Sequence, residues 1–387
     1  MKQALYCGRG TDVPYTDFMD LVNLSFGFTD PAHQIFELLP KYYREEYRPQ
    51  DSNYVVIDEE GNLAAAVGAY DHELMVCGHR IPCRGIGNVG VHPDHRRKGY
   101  MKIAMNKALE DMIADGIAIS TLGGRRQRYQ YFGYDKAGPL YSFEISSQNV
   151  QHVLGNRTPN YTVQVVTDPT DPVLREISVL NHTRAVNPCR PLARYLDIAN
   201  SWRARLLAIA EEDRLVGYCI VDGSNSLSEF QIARDEDLMD TLKALHDFFG
   251  GTYHIGLPPH EHTYIAALES LSENTQLNNA MHFNILNYRL VTEAFLALKL
   301  TYTNLPDGEL SFLIHGYAGD ERIRVTVKDG TPVVETIPDT IPVDYELSHL
   351  RAIAFLFAPF CCERDTACSL ARLWFPLPIC MARADEV

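Results

Sequence analysis

The chain has 387 residues, enough for two or three domains. Charged residues at 22% and apolar residues at 46% are the composition of a globular protein, which excludes a disordered or fibrous one. The formal net charge of -15 argues against a nucleic-acid partner, because neutralising phosphates needs a basic face, and it suits a cationic ligand.

The first ten residues lack the apolar stretch of a secretory signal, and no apolar run is long enough to span a bilayer. The nine cysteines form no C-x-x-C pair, which predicts reduced thiols in a cytoplasmic protein. Apolar residues at helical spacing predict a helix over 16–26 and a shorter one over 38–43, with a break near Asp30-Pro31. Residues 53–57 and 63–70 flank the turn Asp58-Glu59-Glu60-Gly61-Asn62 and predict a hairpin. Strands follow at 73–77 and 81–91.

The most informative stretch comes next. Met101, Ala104, Met105, Ala108, Leu109 and Met112 predict a helix running to Asp115 and stopped by Gly116. Just before it stands His95-Arg96-Arg97-Lys98-Gly99-Tyr100. Basic side chains therefore fall where a loop becomes a helix N-terminus, whose first amides are unpaired and whose dipole end is positive. Such a position binds phosphates, and Gly99 lets the backbone approach closely. A strand over 118–122 and the segment Tyr129-Gln130-Tyr131-Phe132-Gly133-Tyr134 follow.

The pattern then repeats. Residues 205–221 mirror the first hairpin, and a strand over 228–233 and a helix over 237–249 come in the same order. Between them stands Arg234-Asp235-Glu236-Asp237, whose acids would repel a phosphate. The repeat is therefore read as a structural copy that binds no nucleotide. After Asn284 come a helix over 290–300, strands around 310–314 and 323–327, a turn at Asp329-Gly330, and helices over 345–357 and 367–374. This tail reads as an α+β domain with its own core. His260-Glu261-His262 lacks metal-ligand spacing and predicts a loop, so no metal is expected. His92 and His95 flank a Pro-Asp turn and read as structural. Cys361, Cys362 and Cys368 read as core residues.

The first part resembles the GNAT superfamily of acetyl-CoA-dependent N-acetyltransferases. His92-Pro93-x-His95-Arg96-Arg97-x-Gly99, the helix beginning Met101-Lys102, and Tyr129-x-x-Phe132-Gly133-Tyr134 carry the resemblance. In that superfamily the loop between the fourth strand and third helix holds the pyrophosphate of coenzyme A. Met101 stands where a small residue is usual. The order of the three parts resembles the Eis (enhanced intracellular survival) family. The resemblance implies an α+β chain of tandem GNAT domains, 1–146 catalytic and 147–284 degenerate, followed by a sterol-carrier-protein-like domain at 285–387.

It also implies the site. Acetyl-CoA would lie along Val89, Gly90 and Val91, with its pyrophosphate held by Arg96, Arg97, Lys98, Gly99, Tyr100, Met101 and Lys102, and with Gly124 and Arg125 as further contacts. Tyr129 would be the general acid that protonates the departing thiolate, a proton moving from a tyrosine of pKa about 10 to a thiol of about 8.5. The base would be the chain's own terminal carboxylate, on Val387. Glu386 and Phe26 would line the acceptor pocket. The residues Leu24-Ser25-Phe26-Gly27-Phe28 offer no acid there. The implied function is acetylation of an aminoglycoside, polyamine or lysine-type amine by a homo-oligomer, a hexamer in that family. Two other readings stay open: a lipid- or sterol-binding protein that uses its tail, and a peptide acyltransferase with a longer acyl chain.

Overall fold

The computed structural model describes residues 4–27 and 34–387. The expected break at Asp30-Pro31, and Phe28, lie outside them. Residues 6–285 build one large twisted sheet. Its strands in chain order are β1 Tyr6–Arg9, β2 Asn53–Ile57, β3 Leu63–Val76, β4 His79–Val91, β5 Ile119–Leu122, β6 Asp135–Ile145, β7 Thr162–Val165, β8 Val186–Pro188, β9 Arg205–Glu211, β10 Arg214–Val221, β11 Ser226–Ile232, β12 Tyr253–Leu257 and β13 Thr275–Ile285.

Across the sheet the order is β1-β2-β3-β4-β5-β13-β6-β12-β11-β10-β9-β7, with β8 paired to β3. Outward from the central antiparallel pair β13–β6, both sides run backward through the sequence. Each side contains one parallel pair, β4 with β5 and β11 with β12. β13 lies between β5 and β6, so a strand from the later half completes the earlier half.

The helix Tyr100–Ala114 packs Ala104, Met105, Ala108, Leu109 and Met112 against β2 and β3, where Tyr54, Val56, Ala65 and Val67 are buried. These are the residues whose spacing predicted it. The helix Leu238–Phe249 plays the same part beside β9–β12 through Leu238, Leu242 and Leu245. The tail adds a separate sheet of β14 Gly308–Gly316, β15 Gly319–Lys328, β16 Thr331–Thr336 and β17 Tyr345–Ser348, in the order β16-β15-β14-β17. Its core, built on the helices Tyr288–Leu300 and His349–Phe357, is continuous with the sheet residues Ile81, Cys83 and Phe283.

Several expectations are corrected. Residues 73–77 are no separate strand. β3 runs unbroken to Val76, because it stays paired with β4 as far as Val76↔His79. The expected helix over 38–43 is two short helices, Ile35–Leu38 and Pro40–Tyr43; Pro40 has no N–H to continue the first and suits the start of the second. Residues 345–348 are a strand, not the start of a helix. They pair in parallel with Phe312–His315, and the Tyr345 ring stacks on Phe312 at 5.5 Å. Cys362 and Cys368 are exposed rather than packed in a core, since both sit at the starts of short surface helices. All nine cysteines are free thiols.

Candidate active site

β4 pairs with β5 only from Cys83↔Ile119 to Ile86↔Leu122, where β5 ends, and then runs on to Val91 with β3 as its one partner strand. Opposite, its register against β3 slips between Ala66 and Gly68, and Asn88 takes φ +48°. The bulge bends β4 just past the end of β5, and the edge of β4 left unpaired there forms one side of a cleft beyond β5. The backbone of Gly87–Val91 lines that cleft beyond the last β5 pair. Beside Gly90 lie Ser25 Oγ and Asn88 Oδ1, both buried and without a hydrogen-bond partner among the described residues. A ligand carrying amides would find polar atoms and bare backbone here.

The basic loop closes one end of the cleft. Pro93–His95 makes a single 3-10 turn, Arg97 takes φ +67° and Gly99 φ +84°, and the helix starts at Tyr100. The loop is braced from below: His95 Nδ1 lies 3.4 Å from Asp58 Oδ2 and 3.2 Å from Lys98 Nζ, while Asp58 Oδ1 holds the amides of Glu60 and Asn62 at 2.9 Å. Among the described residues, no side chain caps the first amides of the helix. Arg96, Arg97, Lys98 and Lys102 are exposed around them, and Tyr131 carries the Lys102 ammonium 4.6 Å above its ring. Arg126, beyond the cleft, is engaged by Asp135 at 2.6 and 3.0 Å, whereas Arg125 is exposed.

Past β5, Gly124 at φ +149° lies so close to Tyr129 that a Cβ there would stand 2.7 Å from the ring. The Tyr129 ring is buried, and burial pushes its pKa up, with the Arg128 guanidinium pulling the other way. Tyr129 is therefore protonated at neutral pH. The neighbouring Tyr134 is fully buried and hydrogen-bonded to Ser120 Oγ at 2.6 Å, while Tyr131 is 62% exposed.

The end of the chain reaches this cleft. On β4, Gly85 and Gly87 share one face, opposite Tyr70 and Gly68 of β3. A Cβ on Gly87 would fall 2.0 Å from Val387 Cγ1 and 3.2 Å from its carboxyl carbon, and one on Gly85 would fall 2.5 Å from Cγ2. Two glycines thus form a trough that the last residue fills. Val387, Phe26 and Trp202 pack against one apolar cluster with Phe18, Val55 and Tyr70.

The tail before Val387 is held from three directions. Arg190 binds Asp385 through Nε at 3.0 Å and Nη2 at 2.6 Å, and binds Glu229 at 2.8 and 2.7 Å. Lys41 Nζ donates to the carbonyl of Ala384 at 2.6 Å and to that of Glu386. Trp202 Nε1, on a residue at φ +62°, also donates to the Glu386 carbonyl at 3.2 Å. Burial raises the Glu386 carboxyl to about 7, against the pull of Arg383 and Lys41.

Glu386 and Val387 border a cavity of about 900 Å³. Gly123 at the end of β5 borders it too, and its far walls are β11, β12 and β6. It opens where β11 and β12 part, since their pairing ends at Leu227↔Ile255. Its carboxyl side chains are Glu144, Glu229, Glu261, Glu273 and Glu386, against the guanidinium groups of Arg184 and Arg383.

Residues 9–137 match the family model described as "Acetyltransferase (GNAT) domain". The chain carries a GNAT acetyltransferase domain. That domain holds β4, β5, the basic loop and Tyr129, so the cleft lies inside it. Three solved structures share the whole architecture. A GCN5-related N-acetyltransferase from Anabaena variabilis superposes with a TM-score of 0.68 at 14% identity, covering 98% of each chain. One from Kribbella flavida gives 0.67 at 18%, covering 99% of this chain and 98% of the other. Eis1 from Mycobacterium abscessus gives 0.62 at 14%, covering 100% of both. At these identities the likeness is one of fold. Among curated proteins, none matches this sequence. No helix among the described residues is long and apolar enough to cross a membrane, and no cluster of His, Cys, Asp or Glu there could hold a metal.

The fold brings Val387, Glu386 and Phe26 to the GNAT domain, and places Val89–Val91, the loop and Tyr129 around its cleft. Glu386 faces the cavity; Phe26 belongs to the apolar cluster behind Val387. Sequence reasoning missed Gly85, Gly87, Lys41, Arg190 and Trp202. The glycine pair, two apart on a strand, was a readable signal of something packed on that face. The other three carry no local signal.

Proposed function

We propose that this protein acetylates a cationic amine with acetyl-CoA as donor. The observation that carries the reading is Val387: its carboxyl group sits on Gly87 at the mouth of the β4–β5 cleft and borders an acid-lined cavity. Acetyl-CoA is bound along Val89–Val91, with its pyrophosphate at the uncapped helix start among Arg96, Arg97, Lys98, Gly99, Tyr100, Met101 and Lys102, and with Gly124 and Arg125 flanking it. The amine enters through the cavity. The Val387 carboxylate takes one proton from the ammonium, the freed nitrogen forms a bond to the thioester carbonyl carbon, the carbon–sulfur bond breaks, the thiolate takes the Tyr129 proton, and the second proton shed by the nitrogen as it becomes an amide returns to the Tyr129 oxygen.

The mirrored sheet supports a tandem arrangement of a catalytic half, 1–146, and a degenerate half, 147–284. In the second half Asp237 stands where the basic loop would be, and it is paired with Arg214 and Arg234. Its β11–β12 cleft, closed to phosphate, serves as the acceptor pocket. We read 285–387 as the sterol-carrier-like part of an Eis-type chain. There Phe312, Tyr345, Phe355 and Phe375 form one aromatic cluster with ring centroids 5.1–6.1 Å apart, which supports a packed core over a lipid site, and the part's role is to deliver the C-terminus. A cytoplasmic homo-oligomer, as in that family, completes the reading.

The test is thiol release from acetyl-CoA with a panel of polyamines, aminoglycosides and lysine peptides. The full chain is compared with Tyr129→Phe and with a chain lacking Val387. Each change is expected to lower kcat by about 100- to 1,000-fold, the usual worth of a general acid or base. Full rates in both variants would remove these two roles.

The pocket also predicts a pH dependence. The Glu386 carboxyl is held up to about 7 by burial, so it gains charge as pH rises through that value. The KM for a polyamine should fall about three- to tenfold between pH 6 and 8, the worth of one partly desolvated ion pair, and Glu386→Gln should flatten that change. A Gln variant with the same KM profile would exclude Glu386 as the acceptor's partner.

A further inference from the structure

Lys41 is 1% exposed, which is rare for a lysine. It sits 343 positions before Ala384 in the chain, and its ammonium bonds the carbonyls of Ala384 and Glu386. One ammonium joining carbonyls two residues apart fixes the curvature of the chain between them. It therefore sets the direction in which the next residue, Val387, leaves. The turn is completed by the amides of Asp385 and Glu386, which donate to Ala382 and Arg383 at 2.9 and 3.1 Å.

Lys41 is itself anchored to the trough. Its ammonium lies 4.9 Å over the Tyr42 ring, Tyr42 stacks on Tyr70 at 4.1 Å, and Tyr70 pairs with Gly85. Its own carbonyl accepts from Arg194. The charges around it are Asp385 and Glu386 on the tail, and Arg190 and Arg194 on the middle segment. A compact ammonium with rotatable donors can serve two carbonyls at once.

We propose that Lys41 is the positioning residue for the terminal carboxylate: by gripping the last turn, it sets where the Val387 carboxyl group meets the acceptor amine. This rests on the reading of that carboxylate as the base. Lys41 acts only through the tail and touches neither substrate.

The test is a double-mutant cycle between Lys41→Met, which keeps an unbranched side chain and removes the donors, and deletion of Val387. In the full-length chain Lys41→Met should lower kcat by about 30- to 100-fold, as misplacing a reacting group does, with KM for acetyl-CoA within about twofold. In the chain lacking Val387 the same substitution should change kcat by less than about threefold, because the chain then ends at Glu386 and its terminal carboxylate, one residue short, no longer reaches the acceptor amine. Losses that multiply would make Lys41 a general support of the fold and overturn the proposal. So would an unchanged kcat in Lys41→Met beside a large loss on deletion. If deletion leaves the rate unchanged, the terminal-carboxylate reading itself has failed, and the Lys41 role falls with it. Should Lys41→Met not fold, Trp202→Phe removes the other donor to the Glu386 carbonyl and is read in the same cycle.

Discussion

Replacing Gly87 by alanine should abolish most of the activity, and trimming Val387 to glycine in the same chain should restore part of it. An alanine methyl at position 87 would lie 2.0 Å from Val387 Cγ1 and 2.9 Å from its Cβ. Real carbon atoms do not approach that closely, so one of the two must move. β4 is held on both flanks near this point, paired with β3 on either side of the bulge and with β5 up to Ile86. The single terminal residue is the part that yields. A carboxylate displaced by about 1 Å from a reacting nitrogen loses about 100-fold in rate. Val387→Gly removes both offending carbons and keeps the terminal carboxylate, leaving only the 3.2 Å approach of the carboxyl carbon. Steady-state kcat on the best acceptor would be compared across the two single variants and the double one. A double variant no faster than Gly87→Ala would mean that the methyl harms something other than the seat of the tail. Gly85→Ala should cost less, since its methyl meets the far end of a valine branch at 2.5 Å and then only side-chain ends, Thr121 Oγ1 at 3.3 Å and His72 Nε2 at 3.4 Å.

The elements that proved readable are those whose signal is local. The helix Tyr100–Ala114 follows from its apolar spacing, and the basic loop before it needs no partner to be seen as an anion site. The hairpin of β2 and β3 announced itself by its turn. What failed locally failed for a physical reason: Tyr345–Ser348 reads as helix because Leu347 and the apolar residues after it suit either period, and only β14 decides the matter. The site divides the same way. The cofactor loop is one contiguous segment and was legible without contacts. The tail is not, because a polar tetrapeptide looks like a frayed end until its partners are known. Those partners are Lys41, Arg190 and Trp202, far from the tail and, for Lys41, far from the other two in sequence, and a lone buried lysine or arginine has no signature in sequence. Resemblance to a family supplied the terminal carboxylate; the residues that seat it here came only from the fold.

Arg190→Met should be the most destabilising single change in the molecule, and its effect should depend on pH in a defined direction. The Arg190, Glu229 and Asp385 side chains are 1%, 0% and 4% exposed. Removing the guanidinium leaves two buried carboxylates, with Arg184 3.3 Å from Glu229 and the Lys41 ammonium on the Asp385 side as the remaining cations that act on them. Breaking a buried ion pair from one side costs about 3–5 kcal/mol. Burial alone would raise Glu229, but Arg190 and Arg184 outweigh it and hold the carboxyl at about 2. A carboxylate depressed in the folded state stabilises above its unfolded pKa, and that stability is lost as pH falls through the folded one. In the native chain this contribution is complete above pH about 5 and fades towards pH about 2. In the variant, Glu229 relieves its burial by taking up a proton, so acid helps it. The stability gap should be widest near neutrality and should shrink below pH about 4, read by urea unfolding at a series of pH values. A gap independent of pH would assign the loss to packing instead. Activity separates the two roles of this arginine: under cold conditions where the variant is still folded, kcat should remain about tenfold low, because Asp385 no longer holds the turn that aims Val387.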